Sequence, residues 1–109
     1  MKKPSFREFD PARYIDSDET ALAFLRMTCE DGTSSEIAEA LGIIARARGI
    51  TKVARQVGMS RQALYKALSA DGNPEFATVI KVANALGFHL VLEPNTAENV
   101  TPAPSRNAA

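Results

Sequence analysis

The chain has 109 residues, 45% of them apolar and 24% charged, with a formal net charge of zero. That length suits one domain with a core of its own, needing neither disulfides nor a structural metal. No apolar run is long enough to span a membrane, Met1-Lys2-Lys3-Pro4 leads into no signal-type apolar region, and the single Cys29 excludes an internal disulfide, so a cytoplasmic protein is expected.

Residues 1–17 read as an N-terminal arm that packs back on the domain, with Phe6, Phe9 and Tyr14 as its aromatics. Asp10-Pro11 suits one helical turn, the aspartate capping and the proline opening it. Asp18 reads as the N-cap of the next helix, in which Ala21, Leu22, Leu25 and Cys29 recur at helical spacing beside Phe24 and Thr28, and Gly32 closes it. Cys29 on that face reads as a small core residue. Ser34 or Ser35 caps a second helix with Ile37, Leu41 and Ile44 on one face and Gly49 at its end. Two short helices follow, Thr51 to Gln56 and Arg61 to Leu68, and Asp71-Gly72-Asn73-Pro74 is a turn. A further helix from Pro74 or Glu75 to Leu86 presents Phe76, Val79, Ile80, Ala83 and Leu86 as its core face, with Gly87 as C-cap. Phe88–Leu92 alternates weakly and is predicted as a strand. A lone strand needs a partner, either the N-terminal arm or its own copy across a dimer. Residues 95–109 are small, polar and proline-bearing and read as a disordered tail. The expected fold is therefore all-α, a five-helix domain over residues 18–94 with one short C-terminal strand.

The neutral total conceals an uneven distribution. Residues 1–45 hold five bases and nine acids (−4), residues 46–70 six bases and no acid (+6), and residues 71–109 two bases and four acids (−2). A basic island between acidic flanks points to an electrostatic partner, with a solvated surface as the alternative.

Inside that island, residues 50–69 match a helix-turn-helix. Ala54 is small where two helices must approach, and Gly58 tolerates the left-handed backbone of a tight turn. Val53, Val57, Met59, Leu64 and Leu68 fall where the pair must bury side chains, and Ser60 is placed to cap the second helix. In such a motif the N-terminal part of the second helix faces base edges. Arg61 and Lys66 can donate to guanine O6 and N7, and Gln62 can pair with adenine. Tyr65 can reach a phosphate or a thymine methyl. Thr51 and Lys52 open the first helix, where free backbone donors suit a phosphate, and Ser60 in the turn is counted with them among the candidate DNA contacts. Arg55 is as consistent with a solvated charge as with a contact, and Asn73 reads as a turn former first. His89 has no second ligand for a metal. No nucleophile–base set, phosphate loop or paired metal ligands occur, so neither enzyme activity nor a cofactor is expected.

The segments Gly49–Leu68 and Gly72–Gly87 resemble the Cro/C1-type phage-repressor domain. More narrowly, with Phe9-Asp10, Tyr14-Ile15-Asp16-Ser17, Glu30-Asp31-Gly32 and Ile43–Gly49, residues 6–94 resemble the HigA-like addiction-module antidote proteins, the antitoxins of type II toxin–antitoxin pairs. The resemblance implies a phage-repressor-like fold and two activities: neutralising a small RelE/ParE-like toxin, and repressing the shared operon as an operator-bound dimer. The tail after Pro94 is short and poor in large apolar residues, which argues against a tail clamp on the toxin. Phe6, Phe9 and Tyr14 are the candidate toxin contacts, with simple core cover as the alternative. Two other functions stay open at this level: a stand-alone phage-type repressor, or a protein-interaction adaptor on a helix-turn-helix scaffold.

Overall fold

A computed structural model describes residues 11–95. A 3₁₀ turn, Pro11–Tyr14, leads into five helices: α1 Asp18–Asp31, α2 Ser34–Arg48, α3 Ile50–Val57, α4 Arg61–Ala67 and α5 Phe76–Ala85. The all-helical expectation and the five-helix order hold. Phe6, Phe9 and the tail from residue 96 lie outside the described residues.

Three helix starts fall one residue earlier than expected, α3 at Ile50 rather than Thr51 among them, and α5 starts later, at Phe76. Ser17, not Asp18, caps α1, its Oγ accepting from the Thr20 backbone N–H at 3.1 Å. Asp18 and Glu19 then occupy the first turn, where carboxylates favour the positive end of the helix dipole. Thr33 caps α2 in a reciprocal box. The Glu36 N–H donates to Thr33 Oγ1 at 3.2 Å, and the Thr33 N–H donates to Glu36 Oε1 at 2.9 Å.

The core forms around α2. Ile44 on α2, Val53 on α3, Leu64 on α4, Val82 on α5 and Ala21 on α1 are all buried and belong to one cluster. Gly42 lies at the tightest point: a Cβ there would overlap the Leu68 carbonyl oxygen. A glycine inside a helix costs about 1 kcal/mol relative to alanine, and here it lets the end of α4 pass directly over α2.

Three expectations about side-chain placement are corrected. Cys29 is exposed. At 100° per residue Thr28 lies within about 20° of the inward Ala21 direction and Cys29 about 80° from it, so Phe24 and Leu25 pack on the core instead. Partial desolvation still pushes the Cys29 thiol pKa up. On α5, Phe76 and Ile80 are exposed at 69% and 36%, while Val82, absent from the expected face, is fully buried. The inward stripe is Val79-Val82-Ala83-Leu86, which sets Ile80 about 160° from Val82.

The third correction concerns Phe88–Leu92, which is not a strand. The Phe88 N–H donates to the Ala83 carbonyl at 2.9 Å, closing α5 around Gly87 at φ 96°, and Phe88 packs against the core. Beyond it Leu90, Val91 and Leu92 are exposed. No strand exists among the described residues, so this segment has no ladder to join.

One side chain ties three helices together. Arg48, at the end of α2, donates through Nη1 to the Leu86 carbonyl at 3.0 Å and through Nη2 to Asp18 Oδ1 at 2.6 Å. The first bond satisfies a carbonyl at the α5 C-terminus, where a cation is favoured. Arg48→Ala is expected to lower unfolding free energy in urea by about 1–3 kcal/mol. Asp18→Asn should cost less than about 1 kcal/mol, because the Asp18 side chain is 85% exposed.

Candidate nucleic-acid interface

The sequence of α3 dictates how the site is held. Val53, Ala54 and Val57 are buried, while Thr51, Lys52, Arg55 and Gln56 are exposed. Gly58 ends the helix in the left-handed conformation, φ 75° and ψ 31°, which carries a steric penalty for any residue with a Cβ. The Met59 N–H donates to the Ala54 carbonyl at 2.9 Å, and the chain turns directly into α4. Ser60 Oγ accepts from the Ala63 N–H at 3.0 Å. Ser60 is therefore engaged in capping, and its role is to fix where α4 begins.

Leu64 anchors α4 and is fully buried. With Leu64 inward, Gln62 and Lys66 point about 160° away on either side, one turn apart, with Tyr65 at about 100° and Arg61 at about 60°. Arg61, Gln62, Tyr65 and Lys66 are all exposed. Among the described residues the Lys52, Arg61, Gln62 and Lys66 side chains form no hydrogen bond or ion pair. Tyr65, 53% exposed, lines a small cleft of about 210 Å³ with Glu39, Arg46 and Leu68.

Six of the seven sequence-selected residues, Thr51, Lys52, Arg61, Gln62, Tyr65 and Lys66, thus lie on one pair of short helices, and Ser60 lies in the turn between them. The structure also sorts the basic island. Arg48 is engaged with Leu86 and Asp18, and Arg46 is half-buried. Lys52, Arg55, Arg61 and Lys66 remain exposed. Ala63, also exposed on α4, was not singled out, because a methyl group carries no polar signal. Asn73, in the turn after α4, and His89 are exposed, and no cluster able to hold a metal ion occurs among the described residues.

This geometry is compatible with a helix-turn-helix-like domain. A family model described as "probable addiction module antidote protein" matches residues 5–94. The chain belongs to this family of addiction-module antidotes. The antidote is similar to an uncharacterized protein of Haemophilus influenzae, 42% identical over 87 residues that cover 80% of this chain and 90% of the relative. No solved structure matches it. An antidote implies a toxin partner in general. Among the described residues no helix of the antidote is long and apolar enough to cross a membrane.

Proposed function

We propose that this antidote neutralises a RelE/ParE-like toxin and represses its own operon by placing α4 in the major groove of operator DNA. The observation that carries the DNA half is the outward face of α4. Arg61, Gln62 and Lys66 are exposed and unpaired there, beside Lys52 on α3 and with no acid between residues 46 and 70. Unpaired donors of this kind meet base edges and phosphates without first breaking internal ion pairs. The chain acts as a cytoplasmic binding protein rather than an enzyme, and needs no cofactor.

A dimer matches the pseudo-palindromic operators that helix-turn-helix proteins read. Exposed Phe76, Ile80, Leu90, Val91 and Leu92 supply apolar surface that a second copy would cover. The acidic excess of residues 1–45 favours a basic toxin.

The test is a mobility shift with the DNA upstream of the gene. A specific complex is expected, with log affinity falling against log salt at a slope of roughly −0.9 per phosphate contacted. No shift, or equal affinity for unrelated DNA, would remove the repressor reading. A toxin gene adjoining this one supports the antitoxin half.

A further inference from the structure

The packing of α1 on α2 leaves a surface groove of about 420 Å³, which shares Glu39 with the Tyr65 cleft. Phe24, Met27 and Ile43 supply its apolar lining, Asp31, Glu36 and Glu39 its charge, and no basic residue lines it. Met27 is 68% exposed, a long flexible apolar side chain left in water. The Glu36 carboxylate is engaged in the α2 capping box. Asp31 and Glu39 are exposed and form no hydrogen bond or ion pair among the described residues.

We propose that this groove is the docking site for a basic, apolar-centred segment of the toxin. A large apolar side chain of the partner seats against Met27 and Phe24, and flanking lysine or arginine side chains reach Asp31 and Glu39. An apolar centre with a charged rim is the usual anatomy of a protein interface, and complementary charge sets its orientation and partner choice. Nucleic acid is disfavoured, because unpaired carboxylates repel phosphate. A second copy meeting the groove through a two-fold axis would set acid against acid. The proposal rests on the antidote reading and assigns it a surface.

The test uses the full chain with the toxin encoded by the adjoining gene. A photo-crosslinking amino acid at position 27 should yield a covalent antidote–toxin adduct. The double variant Asp31→Lys, Glu39→Lys should bind the toxin about tenfold or more weakly by calorimetry, with an unchanged circular-dichroism spectrum. Glu36 is left intact to keep the α2 cap. Cross-links to the chain's own residues 1–10, or to a second copy, would assign the groove to those occupants and overturn the proposal. Parental affinity in the charge-reversed variant would also overturn it, leaving the antidote reading in place. A parent chain that binds no toxin would instead overturn the antidote reading, and the proposal with it.

Discussion

Arg61→Ala combined with Gln62→Ala is expected to abolish operator protection in a footprinting experiment while leaving the fold intact. Both side chains are exposed, and neither serves the α4 cap, which is a bond between Ser60 and the Ala63 backbone. Substitutions at such positions usually move stability by no more than about 0.5 kcal/mol. A lost base contact costs about 1–3 kcal/mol, so the pair should weaken specific binding by about 2–6 kcal/mol, well over tenfold. Non-specific binding should fall less, because Lys52, Arg55 and Lys66 still offer charge to phosphates. Unchanged protection would remove the N-terminal half of α4 from the account.

The second large effect is on stability. Leu64 is fully buried and is the one buried residue within α4. Leu64→Ala should cost about 2–5 kcal/mol, a large part of the roughly 5–15 kcal/mol that holds a domain of this size together. The melting temperature is expected to fall by about 10 °C or more, read by circular dichroism. Operator binding should fail with it, since Leu64 seats the helix that carries Arg61, Gln62 and Lys66. A near-parental melting temperature would mean that α4 is not packed as described.

The α3–α4 pair was readable from the sequence because its constraints are local. Ala54, Gly58, Ser60 and Leu64 each answer one geometric demand within fifteen residues, and each does so in the structure. The cap of α1 was misread because Ser17 and Asp18 are adjacent and equally able to cap; only the Thr20 N–H chooses between them. The face of α5 was misread because Phe76, Val79, Ile80 and Val82 are all apolar, so two overlapping stripes satisfy the same helical period. Which stripe is buried depends on where α2 and α3 lie. Phe88–Leu92 failed for a related reason: a strand is a property of a pair, and the described chain offers it no partner. Gly42 carried no local signal, since its purpose is the Leu68 carbonyl that crosses over it from α4. The groove between α1 and α2 was equally hidden, because Asp31 and Glu39 come together only once both helices are packed.

The central claim is that α3 and α4 form the DNA-reading surface of an antidote. Amide chemical-shift mapping of the isotope-labelled chain, titrated with its own upstream DNA, tests it most directly. The account predicts shifts concentrated from Thr51 to Lys66, strongest at Arg61, Gln62, Tyr65 and Lys66, with the α1–α2 groove around Met27 unmoved. Shifts centred on that groove or on Phe76 and Ile80, with α4 unchanged, would contradict it.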